Sequence, residues 1–425
     1  MQKSQPMTLL SNPHLDYRAG TLFCEDVSLA LLAERYGTPL YVYSHQTILE
    51  NYRALAARLI HTPSLICYAV KANSNLAILS LLRKEGAGFD IVSGGELARV
   101  LKAGADPGRI VFSGVGKTRE EIDAALQAGI LMFNVESAGE MDLIENCARE
   151  QGRRAPVSIR VNPEVEAETH PYISTGQTIH KFGVPKDEAL SLYRKVAGSQ
   201  DLEVVGVACH IGSQILDVEP FLKAFEEIKT LADTLRSEGA NLRYLDLGGG
   251  FGIRYADEEP LAFESLVKDL GARLSGTDYR LALEPGRSIV GNAGLLLTRV
   301  LYVKRNPAKN FIVVDSGMSD LMRPALYGSF HQIAPVAGPP ENCTLRADVV
   351  GPICETGDFL AQNRELPEAQ PGDLLAVLAA GAYGYVLASN YNTRPRPAEV
   401  LIEGSQARII CQRETLDDLM AREAL

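Results

Sequence analysis

The sequence has 425 residues, of which 46% are hydrophobic and 22% are charged, and its formal net charge is −11 at pH 7. This length predicts two domains, and the composition is typical of a folded globular enzyme. The negative charge argues against sequence-independent binding to nucleic acid or to an anionic membrane. It does not exclude a small anionic substrate, because a few local arginines suffice to bind one.

The seven cysteines are odd in number and scattered, and no two of them form a Cys-x-x-Cys pair. We therefore expect neither a disulfide framework nor a metal site, and the cysteine usage fits a reducing cytoplasm. The first ten residues contain no apolar signal-peptide core, and the longest apolar stretch, 374–388, is interrupted by Gly381 and Gly384. This pattern predicts neither a signal peptide nor a membrane span.

Between residues 40 and 287, short β-branched runs alternate with amphipathic helical patterns, as in a parallel sheet built from βα units. Eight consecutive units favour a (β/α)8 TIM barrel over an open doubly wound sheet. The predicted strands are Leu65–Val70, Phe89–Val92, Ile110–Ser113, Met132–Val135, Val157–Val161, Val204–His210, Tyr244–Leu247 and Leu281–Glu284.

After residue 290 the helical periodicity is lost, and strand-like segments follow one another with Pro and Gly turns. This pattern predicts an antiparallel β domain. Residues 1–36 precede the barrel, and we expect them to contribute to the same β domain. The predicted organisation is therefore a barrel over 37–290 and a C-terminal β domain over 291–425 that also takes in residues 1–36. The predicted strands of the β domain include Leu295–Lys304, Phe311–Asp315, Leu345–Val350 and Leu374–Leu378.

Polar side chains follow six of the eight predicted barrel strands, at the edge where barrel enzymes place their active sites. Lys71 is the first of them, and a strand-end lysine in its neutral form can hold an aldehyde cofactor as a Schiff base. Taken alone, a lysine at such a position is more often a solvated charge. The strand-end groups are Lys71, Asp90 and Ser93, Arg160 and Asn162, His210–Gln214, Asp246–Gly252, and Glu284–Arg287.

The glycine run 248–250 follows the seventh predicted strand, and barrels commonly bind phosphate in the loops after their last strands. It is not a dinucleotide fingerprint, because Ile253 stands where the last glycine belongs. Glu284 suits a cofactor with a basic ring nitrogen, since a carboxylate stabilises a protonated pyridinium. Together with Lys71 and His210, these features predict a pyridoxal 5'-phosphate site.

Six motifs, in this order along the chain, resemble those of the fold-type III pyridoxal-phosphate decarboxylases, in particular the members that act on diaminopimelate. The resemblance runs from about Thr38 to Asn392, with conservative departures at Ser319 and Thr356. It implies cytoplasmic decarboxylation of meso-2,6-diaminopimelate to L-lysine and CO2, the last step of lysine biosynthesis. The motifs are YAVKAN at Tyr68–Asn73, HIGSQ at His210–Gln214, DLGGGFGI at Asp246–Ile253, EPGR at Glu284–Arg287, DLMRPALY at Asp320–Tyr327 and CETGD at Cys354–Asp358.

The resemblance also implies a role for each matching residue. Lys71 would carry the cofactor, His210 would stack on its ring and Glu284 would meet the pyridine nitrogen. Cys354 would act near the substrate carbanion across a subunit interface, which implies a homodimer with two shared active sites. The implied phosphate-binding residues are Ser213, Gly249, Gly250, Gly286, Arg287 and Tyr383. The implied substrate-binding residues are Arg287, Arg323, Tyr327, Glu355 and Tyr383.

The choice of substrate within this family depends on fewer residues. The segment 170–176, followed by 181–183, is similar to a loop of the diaminopimelate enzymes. A zwitterionic distal end needs both a cation and an anion to bind it, and Arg323 and Glu355 supply this pair.

Other members of the same fold are the alternatives. They are decarboxylases of ornithine, arginine or carboxynorspermidine and, from another class, a non-catalytic regulatory homologue. The presence of both Lys71 and Cys354 disfavours the regulatory homologue. Glu284 disfavours a racemase, because racemases of this fold pair the ring nitrogen with arginine.

Overall fold

The computed structural model describes residues 12–165, 181–338 and 344–424. The chain forms two compact units. The barrel unit contains the described residues of 52–253 and 259–286, and the β unit contains those of 12–51, 254–258 and 287–424.

The strands of the described chain are β1 (Leu15–Arg18), β2 (Thr21–Cys24), β3 (Val27–Ser28), β4 (Leu40–Ser44), β5 (Ser64–Ala69), β6 (Gly88–Ile91), β7 (Ile110–Phe112), β8 (Met132–Val135), β9 (Ala155–Arg160), β10 (Leu202–Ala208), β11 (Tyr244–Asp246), β12 (Arg280–Leu283), β13 (Gly294–Arg305), β14 (Asn310–Val314), β15 (Ile333–Pro335), β16 (Leu345–Val350), β17 (Phe359–Leu366), β18 (Leu374–Val377), β19 (Ala398–Glu403) and β20 (Gln406–Cys411).

The α-helices of the described chain are α1 (Leu29–Tyr36), α2 (His45–Arg58), α3 (Leu76–Lys84), α4 (Gly94–Lys102), α5 (Arg119–Ala128), α6 (Ala138–Glu150), α7 (Lys186–Ala197), α8 (Glu219–Ser237), α9 (Phe263–Leu274), α10 (Arg287–Val290), α11 (Arg323–Tyr327) and α12 (Leu416–Met420). Short 3-10 helices include Val70–Ala72, Pro107–Arg109, Tyr385–Leu387 and Tyr391–Thr393.

The barrel unit contains a closed barrel in which β5 to β12 pair in chain order and β12 pairs with β5. All of these pairs are parallel, so the predicted (β/α)8 barrel is confirmed. Each of the eight predicted strands lies within two residues of an observed one. Buried side chains from several strands form a hydrophobic cluster in the barrel unit, as packing of a closed barrel requires. They include Leu65, Cys67, Val111, Met132 and Val205.

The β unit contains a nine-stranded sheet centred on β13, which pairs antiparallel with β4, β14 and β18. The expected β domain is confirmed, and most of its strand pairs are antiparallel. Two pairs are parallel, β14 with β16 and β4 with β19. In both, a long stretch of chain separates the partners, and such a crossover is what a parallel pair requires.

The N-terminal part of the β unit extends beyond residue 36, the limit that we predicted. The reason is β4, which is hydrogen-bonded between β13 and β19. A smaller antiparallel sheet of β1, β2 and β3 precedes it. Leu22, Leu29 and Leu40 pack in one hydrophobic cluster with Leu297 and Val400, so residues distant in sequence share this core.

The six described cysteines are all free. Within the described residues, no helix combines the length and the apolar character needed to cross a membrane.

Candidate active site

Lys71 lies in the 3-10 helix Val70–Ala72, which begins where β5 ends. Its Nζ donates a hydrogen bond to Asp90 Oδ2 at 2.8 Å, and Asp90 is buried in β6. The Lys71 side chain nevertheless remains 36% exposed. The amine is therefore held by an ion pair at the barrel edge and stays accessible to a small molecule.

Two carboxyl groups, those of Asp246 and Glu284, are buried together in the barrel unit. The Asn134 side-chain amide donates to Asp246 Oδ2 at 3.0 Å and lies 3.4 Å from Glu284 Oε1, so it bridges both groups. Burial raises the pKa of Glu284 well above its ordinary value, and Asp246 and Asp90 raise it further. Burial likewise raises the pKa of Asp246. A cation placed beside Glu284 would offset this cost, which is what a pyridinium nitrogen provides.

His210 follows β10, and its Nδ1 accepts a hydrogen bond from the Gly249 N–H at 3.2 Å. Burial lowers the pKa of His210 well below its ordinary value, and Arg160 and Lys71 lower it further. The imidazole is therefore neutral and carries its proton on Nε2. A flat, neutral ring of this kind is suited to stacking on an aromatic cofactor.

The glycine run is packed against neighbouring backbone. A Cβ atom at Gly249 would lie 2.1 Å from Glu284 O, and one at Gly250 would lie 2.2 Å from Gly212 O. Glycine is thus needed for close packing of the loops that follow β10, β11 and β12. The N–H groups of Gly248 and Gly249 are bonded to Asp246 and His210, so close approach explains the run as much as anion binding does.

Gly286 and Ser213 complete the barrel part of the predicted phosphate site. A Cβ atom at Gly286 would lie 2.9 Å from the Ala72 Cβ, beside Lys71 in sequence. Ser213 is half-buried in the loop after β10. The adjacent Gln214 ties this loop to the one after β11, because its side chain accepts from Ile253 N at 3.2 Å and donates to Ile253 O.

Arg287 and Arg323, which we call the arginine pair, are both buried in the β unit. Arg287 Nη1 donates to the Tyr255 hydroxyl at 2.7 Å, and its guanidinium carbon lies 5.0 Å from the centre of the Tyr383 ring. Burial lowers the pKa of Arg323, and the neighbouring Arg287 lowers it further. Burial and the charge of Arg287 both disfavour the Arg323 cation, so a bound anion would stabilise it.

Two residues beside the arginine pair were not predicted from the sequence. The Tyr255 ring lies 4.6 Å from the Arg323 guanidinium carbon, and His331 Nε2 lies 2.9 Å from Arg323 Nη1. Tyr255 stands two residues after the DLGGGFGI motif, so its position near a strand end could have pointed to it. The sequence contains no comparable signal for His331.

Tyr327 and Tyr383 also belong to the environment of the arginine pair. Tyr327 is half-buried at the end of α11, and both tyrosines raise the pKa of Arg323 against the effect of burial. Tyr383 has a φ of 54°, in the left-handed region that a tyrosine rarely adopts. Such a backbone persists only where the surrounding structure fixes it, and it is common at functional sites.

Cys354 and Glu355 lie on the loop between β16 and β17, and both are exposed in the single chain. The Cys354 N–H donates to Asn392 Oδ1 at 2.8 Å, and Glu355 Oε2 accepts from the Tyr391 hydroxyl at 2.9 Å. Their surroundings thus differ from those of the buried arginine pair.

The predicted specificity segment 170–176 lies outside the described residues. The residues that follow it are described. The Arg160 guanidinium carbon lies 4.9 Å from the centre of the Phe182 ring, and the Gly183 N–H donates to Glu136 Oε2 at 2.9 Å.

Comparison with known proteins identifies the family. Residues 45–291 match the family described as pyridoxal-dependent decarboxylase, pyridoxal binding domain. The diaminopimelate decarboxylase of Pseudomonas aeruginosa is 54% identical to this chain, over 96% of the chain and 98% of its own length. The chain belongs to the diaminopimelate decarboxylases. The diaminopimelate decarboxylase of Aquifex aeolicus is 50% identical, over 96% of both chains.

Solved diaminopimelate decarboxylases share the fold. The enzyme from Helicobacter pylori, complexed with L-lysine, has a TM-score of 0.89 and 45% identity, covering 92% of this chain and 98% of its own. The enzyme from M. jannaschii, in co-complex with L-lysine, has a TM-score of 0.92 and 37% identity, covering 98% of this chain and 99% of its own. The predicted family is thereby confirmed.

The cofactor of the diaminopimelate decarboxylase family is pyridoxal 5'-phosphate, and the residues present fit it. Lys71 offers an accessible amine, and Glu284 offers a buried carboxyl group whose raised pKa a ring cation would relieve. The glycines at 249 and 250 stand where any Cβ atom would collide with backbone. Lys71 and Glu284 thus supply the covalent and electrostatic features that a pyridoxal phosphate site needs, and the glycines allow the surrounding loops to pack closely.

Proposed function

We propose that this protein decarboxylates meso-2,6-diaminopimelate to L-lysine and CO2, the last step of lysine biosynthesis. The observation that carries this proposal is the identity of about half of all residues, over nearly the whole chain, with diaminopimelate decarboxylases. The buried arginine pair supports it, because a substrate with two carboxylates needs cationic partners.

The barrel residues hold and tune the cofactor. The Lys71 amine would hold the cofactor covalently, and Asp90, its ion-pair partner, positions this amine. Pyridoxal phosphate, when bound, would supply an electron sink for the decarboxylation. Glu284 would meet its pyridine nitrogen, and Asp246 lies beside Glu284 and raises its pKa. The proposed phosphate-binding residues are Ser213, Gly249, Gly250, Gly286, Arg287 and Tyr383.

His210 contributes a neutral ring rather than a charge. Its Nδ1 is occupied by the Gly249 N–H, which fixes the plane of the imidazole. A neutral ring stacked on the cofactor would limit the access of water without opposing a positive ring nitrogen.

The substrate-binding residues carry both signs of charge. Arg323 binds the distal carboxylate, and Glu355 binds the distal ammonium group. This pair separates diaminopimelate from ornithine, whose distal end is an amine alone. Arg287, Tyr327 and Tyr383 complete the set.

Cys354 protonates the carbon that loses CO2. It is exposed in the single chain, as is Glu355, and we propose that both are supplied to the active site of a partner subunit. The protein would then be a homodimer with two shared active sites. A cytoplasmic location belongs to the same proposal, since the free cysteines suit a reducing compartment.

Product analysis tests the reaction. Purified protein is incubated with pyridoxal phosphate and meso-diaminopimelate, and the products are resolved by chirality-sensitive chromatography. We expect L-lysine and CO2 in equal amounts. A faster reaction with ornithine or arginine would overturn the substrate assignment, and a product of D configuration would overturn the stereochemical one.

Mixing of two inactive variants tests the shared sites. Lys71→Ala and Cys354→Ala are each expected to be nearly inactive. If a site takes Lys71 from one subunit and Cys354 from the other, half of the randomly mixed dimers regain one of two sites, which restores about a quarter of the activity. As a control, Lys71→Ala mixed with Lys71→Met should restore nothing. Absence of recovery in the first mixture, despite subunit exchange, would contradict shared sites.

A further inference from the structure

Arg323 is a buried cation with unusual neighbours. Its guanidinium contacts the ring of Tyr255, at 4.6 Å, and the imidazole of His331, at 2.9 Å. Neither group carries a negative charge like that of an aspartate or a glutamate. A guanidinium presents five N–H donors in a rigid plane, so the groups that hold some of these donors determine where the others point.

The hydrogen-bond partners of His331 define its role. His331 Nδ1 lies 2.8 Å from Leu378 O, and a carbonyl oxygen can only accept, so Nδ1 carries the proton. Nε2 therefore has a free lone pair and accepts from Arg323 Nη1. Burial and the nearby Arg323 lower the pKa of His331 to about 3, so the ring stays neutral at physiological pH. His331 is thus an uncharged acceptor whose direction is fixed by the backbone.

Tyr255 contacts both members of the arginine pair. Its hydroxyl accepts from Arg287 Nη1 at 2.7 Å, while its ring faces Arg323. The edge of His331 packs on it, with ring centres 5.4 Å apart and planes at 75°. Its backbone is also held, because Tyr255 N and Ala256 N both donate to Glu258 Oε2, at 3.0 and 2.6 Å.

A neutral group that holds Arg323 in place has a different effect from a charged group. A carboxylate beside Arg323 would fix its orientation but would also compete with the carboxylate of a ligand. A neutral nitrogen and an aromatic face fix the guanidinium and leave its charge uncompensated.

We propose that Tyr255 and His331 are positioning residues that orient the arginine pair for the distal carboxylate of the substrate. This inference rests on the proposed function, because it takes Arg323 to bind that carboxylate. It adds two residues that determine how strongly the site prefers a ligand with a distal carboxylate.

Two inhibitors isolate this effect. L-lysine and cadaverine have the same carbon chain and two amines, and only L-lysine keeps the distal carboxylate. Their inhibition constants are measured on the holoenzyme, together with KM and kcat for meso-diaminopimelate. For His331→Leu we expect the inhibition constant of L-lysine and the KM to rise about tenfold, with a smaller change in kcat. The inhibition constant of cadaverine should stay within about twofold of the wild-type value.

Conservative variants provide the controls. His331→Gln can still offer an acceptor oxygen to Arg323, and we expect it to recover most of the preference for L-lysine. Tyr255→Phe keeps the ring but loses the acceptor for Arg287. It should raise the inhibition constant of L-lysine about fivefold and leave that of cadaverine nearly unchanged. If His331→Leu does not fold, Tyr255→Phe decides the test alone.

The outcomes separate the two proposals. A wild-type protein that forms no L-lysine from meso-diaminopimelate would overturn the proposed function before any variant is made. If the wild type is active but the variants leave L-lysine binding unchanged, or weaken both inhibitors equally, the positioning role is wrong and the proposed function stands.

Discussion

The barrel unit buries a group of carboxyl side chains near its strand ends, and the β unit buries a pair of arginines. In the barrel unit the buried groups near the strand ends include Asp90, Asp246 and Glu284, with Lys71 as the cationic partner of the first. In the β unit the groups compared with them are the guanidiniums of Arg287 and Arg323, although this unit also buries acidic side chains such as Asp320 and Glu399. The pKa of Glu284 is raised by burial and by carboxylate neighbours, whereas that of Arg323 is lowered by burial and by Arg287.

The ionised forms of Glu284 and Arg323 are therefore disfavoured by their own surroundings. Burial of such charge lowers stability unless a partner of opposite sign is bound. The acidic region suits a ligand with a cationic ring nitrogen, and the basic region suits ligands with carboxylates. The carboxyl groups proposed for the cofactor lie in the barrel unit, and the arginines proposed for the substrate carboxylate lie in the β unit.

Removal of the covalent anchor should have the largest effect. We expect Lys71→Ala to reduce turnover below detection, because no other described group is placed to hold the cofactor aldehyde at the end of β5. Borohydride reduction followed by mass spectrometry should find the cofactor attached to the wild-type chain and not to the variant. Lys84→Ala, at an exposed position on α3, is the control. Persistent covalent attachment in Lys71→Ala would show that another residue is the anchor.

Neutralisation of Glu284 should have the second-largest effect on activity. Glu284→Gln keeps the shape of the side chain but removes the charge that the ring nitrogen needs, and we expect kcat to fall by roughly 10²-fold. Steady-state kinetics at saturating cofactor measure it, and Glu264→Gln, on the exposed face of α9, is the matched control. An unchanged kcat would mean that Glu284 does not act on the cofactor ring.

Neutralisation of Arg323 should weaken the binding of the substrate rather than slow its turnover. For Arg323→Gln we expect KM for meso-diaminopimelate to rise about 10- to 100-fold, which is the usual range for loss of a hydrogen-bonded ion pair. The affinity for pyridoxal phosphate should change far less. Arg408→Gln, on exposed β20, serves as the control. A loss of cofactor affinity equal to the rise in KM would contradict a role of Arg323 that is confined to the substrate.

The last expected effect concerns the stability of the cofactor-free protein and not its activity. The raised pKa of Glu284 means that the folded state holds this proton more tightly than the unfolded state, whose value is near 4.5. The resulting stabilisation is fully present below about pH 4.5 and is lost as the pH rises through the folded pKa. Glu284→Gln should therefore gain stability relative to wild type with rising pH, by about 1.4 kcal/mol for each pH unit within this window. Urea unfolding at pH 5 and pH 8 measures the difference, and parallel curves would contradict it.

The sequence alone determined the barrel and much of the cofactor region. Each strand is a local run of apolar and β-branched residues, so eight strands could be placed within two residues of the observed ones. Lys71, His210 and Glu284 could be selected because each follows such a strand, and parallel strands present their carboxyl ends at one edge. The motifs then indicated the family, which the comparisons confirmed.

Only the tertiary structure decided which distant residues come together. Asn134 bridges Asp246 and Glu284, and His331 accepts from Arg323, although local patterns mark neither contact. The parallel placement of β4 beside β19 is likewise invisible in either strand alone. The physical reason is that periodicity reports which face of an element is buried, whereas the partner of a buried polar atom is fixed by long-range packing. The burial of Glu284 near Asp246 and of Arg323 near Arg287 is a product of that packing.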